Sequence, residues 1–126
     1  MSHLELSWVG SRVSQVAFDF AVTIRGADDS ELRVECAFHL SGTDFPSLDV
    51  DPAATREMAG HLIQLLQRGI LTSEVDEKGA LHASFEGGVE LFVPVDPAYE
   101  AWTYVGGDGS RVVATPGGGR TVWSTR

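Results

Sequence analysis

The sequence predicts an α+β fold: an antiparallel β-sheet of about seven or eight strands, laid out as a hairpin, one amphipathic helix and then a β-meander, with the helix packed on one face. Three observations predict it. Two early runs alternate apolar and polar residues with period two. A middle run has helical spacing. A later run repeats the alternation across short glycine-bearing breaks.

In the first run Val16, Phe18, Phe20, Val22 and Ile24 alternate with Ala17, Asp19, Ala21 and Thr23, the pattern of a strand with one buried face. Leu32, Val34, Cys36, Phe38 and Leu40 repeat it, with Glu31, Arg33, Glu35, Ala37 and His39 between them. Residues 26–30 hold glycine, two aspartates and serine, so they read as the turn of a hairpin. Pairing Ile24 with Leu32 and Phe18 with Phe38 keeps the apolar side chains on one face and sets Arg25 opposite Glu31. Residues 41–50 contain Gly42, Pro46 and polar turn formers, and are expected to cross the molecule as an ordered loop.

Asp51 and Pro52 read as a helix start, because aspartate caps free amides and proline loses nothing at the first helical position. Ala54, Met58, Leu62, Leu65 and Leu66 follow at helical spacing, and Arg68 and Gly69 close the run, so one helix is expected over residues 52–68. Beyond it, Leu71, Ser73 and Val75 should face Leu81, Ala83 and Phe85, which should face Val89, Leu91 and Val93. The connections at residues 77–79 and 86–88 place glycine where a three-residue hairpin loop needs a positive φ. Three short strands are expected over residues 99–105, 111–115 and 121–123.

The chain has 126 residues, 43% of them hydrophobic, which suits one domain over residues 1–126 with one core. Its formal charge is −9, from 18 acidic groups against 9 basic ones. Such a surface repels phosphate backbones and anionic lipid, so nucleic acid and membrane are excluded as partners, while a basic protein is attracted. No signal-peptide pattern opens the chain and no stretch reaches the roughly 18 apolar residues of a membrane span, so a cytoplasmic location is expected. The single cysteine, Cys36, lies in an alternating run and reads as a buried, inert thiol.

No complete catalytic, metal or phosphate-binding constellation is present, so catalysis is not the favoured reading. The four histidines lack zinc-type spacing, no metal or cofactor is expected, and no Gly-x-Ser-x-Gly elbow marks a serine nucleophile. Two candidate binding surfaces remain. One is the strand carrying Tyr99, Glu100, Trp102 and Tyr104, where large aromatics beside a carboxylate suit recognition, although Trp102 and Tyr104 suit a core as well. The other is the polar face of the first hairpin, with Glu31, Glu35 and His39, whose small residues Ala17, Ala21 and Ala37 would also admit a second copy of the chain.

The Asp51-Pro52 helix start, the run Tyr99-Glu100-Ala101-Trp102 and the run Pro116-Gly117-Gly118-Gly119 before Trp123 together resemble a family of small uncharacterised bacterial proteins with a YEAW strand and a C-terminal PGGG motif. The resemblance implies no activity and no site residues. The general build is similar to that of immunity proteins, which mask basic toxin surfaces. The expected function is therefore an acidic binding protein, immunity-like toward a basic partner. The alternative is a small ligand-binding protein or enzyme with a pocket near residues 99–102, using Glu100, Tyr99, Tyr104 or His82 as acid, base or donor.

Overall fold

Strands that alternate apolar and polar residues each present one face that must be covered, and a helix or a second sheet can cover it. In this protein a second sheet does. A computed structural model describes residues 3–43 and 45–123. Among the described residues twelve strands form two six-stranded sheets, and the single helix is one short turn. The expected α+β architecture with a packed helix is thus corrected to a nearly all-β, two-sheet antiparallel fold.

The first sheet runs in the order β1 (Leu4–Glu5), β7 (Ile70–Val75), β8 (Leu81–Phe85), β9 (Val89–Val93), β5 (Phe38–Gly42), β6 (Phe45–Val50). The second runs β12 (Arg120–Trp123), β11 (Arg111–Ala114), β10 (Trp102–Val105), β4 (Glu31–Val34), β3 (Val22–Gly26), β2 (Val13–Phe18). One apolar cluster draws on the inner faces of both, from Leu40, Phe85 and Leu91 on one side to Ile24, Leu32 and Trp102 on the other. The sheets meet at a corner where residues 6–13 run beside 67–73: Gly10 N–H donates to Ile70 O, Ile70 N–H to Ser11 O, and Val13 N–H to Arg68 O.

Both early runs break where one continuous strand each was expected. Asp19 Oδ1 accepts the Ala21 N–H at 2.8 Å, which folds the first run back on itself as the β2–β3 hairpin. Val16 and Phe18 then oppose Ile24 and Val22, and Phe20 at the tip is 87% exposed. A tight turn that preserves parity leaves the period-two pattern intact, so the pattern does not reveal the break. The second run crosses between the sheets at residues 35–37. The expected pairs Ile24–Leu32 and Arg25–Glu31 form, whereas Phe18 and Phe38 lie in different sheets.

Residues 41–50 are expected to be a loop, yet Ser41 and Gly42 extend β5 and residues 45–50 form β6, with His39 opposite Asp49 and Leu40 opposite Leu48. Pro46 is tolerated because β6 is an edge strand. The expected helix over 52–68 shrinks to α1 (Ala59–Ile63). Asp51 Oδ1 accepts the Ala53 N–H and Asp51 O the Ala54 N–H, closing a turn instead of capping a long helix. Gly60 weakens the helix interior, and Gln67 at φ 71° ends the segment. With each sheet's apolar face already covered by the other sheet, Leu62 and Leu65 are buried from this segment, with Met58 and Leu66 packed beside them, while Ile63 is 46% exposed.

The meander forms with Leu81 opposite Val93, Phe85 opposite Val89 and Val75 opposite Leu81 as expected, but a bulge at Leu71 turns that side chain outward and sets Ile70, not Leu71, opposite Phe85. The three short C-terminal strands also form, although β10 begins at Trp102 and not at Tyr99. Their loops lock onto the rest of the fold. A Cβ on Gly79 would fall on the Gly119 carbonyl, and one on Gly107 would fall on Asp28 O. Gly119 N–H donates to Lys78 O at 2.6 Å, and Arg120 Nη1 donates to Val75 O and Asp76 O. Among the described residues no helix is long and apolar enough to cross a membrane.

Candidate functional site

A sheet that buries one face presents the other, and the two outer faces here are chemically unlike. The strands of the second sheet carry Arg25, Arg33, Arg111 and Arg120 against one acid, Glu31. Their charges are matched locally. Arg25 Nε donates to Glu31 Oε1 at 2.9 Å, Arg33 Nη1 donates to Asp19 Oδ2 at 3.3 Å, and Arg33 Nε lies 3.8 Å from Glu35. The Arg111 guanidinium sits 5.9 Å from the Trp123 ring centre.

The strands of the first sheet carry Glu5, Asp49, Glu74 and Glu90 and no lysine or arginine. Its strand registers align these groups across the sheet. Asp49 opposes His39, His39 opposes Phe92, Phe92 opposes His82, His82 opposes Glu74 and Glu74 opposes Glu5. One row therefore crosses all six strands as carboxylate, imidazole, phenyl, imidazole and two carboxylates. A parallel row of Ser41, Glu90, Ser84 and Thr72 lies beside it.

The row is held in shape by its own contacts. The His82 and Phe92 rings are 4.7 Å apart and tilted by 50°. Thr72 Oγ1 and Ser84 Oγ are 2.6 Å apart. His3, His39 and His82 lie 3.6, 2.8 and 3.7 Å from Glu74, Asp49 and Asp76, so each imidazole borders a carboxylate. Phe92 and His39 form a ridge between two hollows. One, of about 360 Å³, is polar and lined by Ser41, Thr72, Ser84 and Glu90; the other, of about 380 Å³, is lined by Ala37, Phe38, Asp49 and Pro94.

Ser47 Oγ lies 3.0 Å from His39 Nε2, and Asp49 Oδ1 lies 2.8 Å from His39 Nδ1. That is the order of groups in a serine-hydrolase relay. Such relays act in dry, preorganised surroundings. The Asp49 side chain is 94% exposed, so water screens its field, and the two bonds fix the orientation of the ring without making Ser47 a strong nucleophile.

The expected site residues are dispersed by this architecture. Trp102 and Tyr104 are buried: Trp102 Nε1 donates to Gly79 O at 3.0 Å, and Tyr104 Oη donates to Ser30 Oγ at 3.1 Å and lies 2.8 Å from Ser7 Oγ. Burial pushes the Tyr104 phenol up. Tyr99 and Glu100 are exposed and precede β10, in a turn where Asp96 Oδ1 accepts the Ala98 and Tyr99 N–H groups. Glu31 and Glu35 lie with the second sheet beside arginines, whereas His39 belongs to the first, so these three do not share a surface. Cys36 donates to Asp96 at 3.4 Å, and burial, then Asp96, push its thiol up to about 11. Among the described residues no three His, Cys, Asp or Glu converge on a metal position.

Sequence reasoning missed Ser47, Asp49, Glu74, Glu90 and Phe92. Part of the row was within reach, because the register that sets Leu81 against Val93 also sets His82 against Phe92. The β6 half was hidden by reading residues 41–50 as a loop.

The fold and site define a class, a two-sheet antiparallel β protein with one charge-balanced outer face and one acidic, aromatic-centred outer face. A family model described as "Family of unknown function (DUF6188)" matches residues 4–124, and the chain belongs to that family. No curated protein and no solved structure matches the chain.

Proposed function

We propose that the protein is a non-catalytic binding protein that docks a basic protein partner on the outer face of its first sheet. The supporting observation is the contrast in charge: four carboxylates and no lysine or arginine on the strands of this sheet, beside an exposed aromatic ridge. A positive surface brought against this face gains Coulomb attraction and faster encounter. An immunity-like role, masking the basic surface of a toxic protein in a bacterial cytoplasm, is the most concrete version of the reading. A second copy of the chain is a poor occupant of this face, because a two-fold interface would set carboxylate against carboxylate. The alternative pocket near residues 99–102 has less support, since Trp102 and Tyr104 are committed to the core.

The test is affinity capture from native lysate with the wild-type chain and with Asp49→Asn/Glu74→Gln/Glu90→Gln. The expected outcome is a basic protein whose affinity falls by about tenfold or more both with the variant and between about 50 and about 300 mM salt. Capture that ignores both the salt and the substitutions would sink the proposal.

A further inference from the structure

The row Asp49, His39, Phe92, His82, Glu74 has a definite length and symmetry, and these restrict what can lie on it. Asp49 on β6 and Glu74 on β7 flank three ring systems, and Glu5 on β1 continues the row one strand further. A carboxylate selects a cation, and a ring face beside it selects a flat or methylene-rich cation over a small hydrated one. Guanidinium meets both conditions, since it stacks on rings and bonds carboxylates through a planar fork.

β6 and β7 are separated by three strands, β5, β9 and β8, hence by four strand spacings. At about 4.8 Å per spacing Asp49 and Glu74 are roughly 19 Å apart. An extended peptide advances about 3.3 Å per residue, so about six residues cover that span. Residues i and i+6 of an extended segment also point to the same side, because side chains alternate with period two. Span and parity agree.

We infer that the row is a docking track for an extended basic segment of the partner protein, lying across the strands with arginines six residues apart, one at Asp49 and one at Glu74. The intervening side chains rest on Phe92 and its flanking imidazoles. Glu90, one row over and lining the polar hollow, adds to the negative field without setting the spacing. Track and partner class both rest on the reading of this face as a partner-docking surface.

The experiment uses three synthetic heptapeptides of glycine and serine, the first with arginines at positions one and seven, the second with arginines at positions one and three, and the third with citrulline replacing both arginines of the first. Each is titrated into the full-length protein while its NMR resonances are followed. The expected result is that the first peptide perturbs His39, Phe92 and His82 and binds about fivefold or more tightly than the second, with no response to the third. Asp49→Asn and Glu74→Gln, both at exposed positions, should each erase the preference between the first two. Equal affinity for both spacings at this face would overturn the track while leaving a general acidic docking face intact. No response at this face to either arginine peptide would count against the track, and failure of the lysate capture alongside it would remove the docking face as well.

Discussion

The two outer faces of this protein are built from the same kind of strand and reach opposite ends. On the second sheet each cation has a neighbour: Arg25 has Glu31, Arg33 has Asp19 and Glu35, and Arg111 has Trp123. On the strands of the first sheet Asp49 and Glu74 border imidazoles, Glu5 opposes Glu74, Glu90 opposes Ser41 and Ser84, and there is no lysine or arginine. The lesson is that net charge is a poor guide to a binding surface. Most of the acidic groups lie in loops, and what distinguishes the first sheet is that its strands carry Glu5, Asp49, Glu74 and Glu90 with no lysine or arginine.

The largest effect that could break this comparison concerns the aromatics. Trp102 is buried and bonded to Gly79 O, so Trp102→Ala should lower the unfolding free energy by about 3–5 kcal/mol. Phe92 stands on the outer face, 38% exposed, and Phe92→Ala should cost less than about 1 kcal/mol in urea unfolding. Equal losses would make the ridge a structural feature and dissolve the contrast.

A smaller effect separates the charges. Arg33→Ala removes the partner of two exposed carboxylates and should cost at most about 1 kcal/mol. Glu74→Gln, in a row with Glu5 beside it and no guanidinium, should leave stability unchanged or raise it slightly. Urea midpoints of the two variants, measured side by side, decide the order; destabilisation by Glu74→Gln exceeding that by Arg33→Ala would reverse the assignment of structural and functional faces.

The smallest effect is with pH. Asp19, Asp96 and Asp108 are held below the ordinary aspartate value of 3.8, chiefly by the Ala21 amide, the Ala98 amide and the Ser110 hydroxyl. Because their folded values are depressed, the stability they add is present above that ordinary value and is lost as pH falls through the folded values. Urea midpoints should therefore drop on acidification below about pH 4, and Asp108→Asn should flatten part of that drop. An unchanged slope in the variant would remove Asp108 from the account.

Legibility in the sequence followed locality. The meander and the pairs Ile24–Leu32 and Arg25–Glu31 could be read because short loops tie their registers to adjacent residues. The turn at Asp19 was hidden because it keeps the parity of the alternation, and the crossing at residues 35–37 because an alternating run does not say which sheet it joins. The helix over 52–68 was over-read because helical spacing of Leu62 and Leu65 is also met by one turn flanked by loops. The row across the first sheet suffered most. It exists only when six strands from distant parts of the chain are aligned; His39 and His82 were assigned to other roles, and Glu5, Asp49, Glu74 and Phe92 to none. Pairwise register gave Phe92 beside His82, but nothing local brings Asp49 to His39 once residues 41–50 are taken for a loop.

The contact between Gly79 and Gly119 couples the meander to the C-terminal hairpin. The carbonyl of one glycine occupies the space where a side chain on the other would begin, and Trp102 is tethered to the same turn through Gly79 O. A side chain at Gly79 would push the C-terminal hairpin off the meander and move the carbonyl that the indole uses, while one at Gly119 would meet Thr115 Oγ1. The turn at Gly79, the C-terminal hairpin and the Trp102 indole therefore act as one mechanical joint between the two sheets.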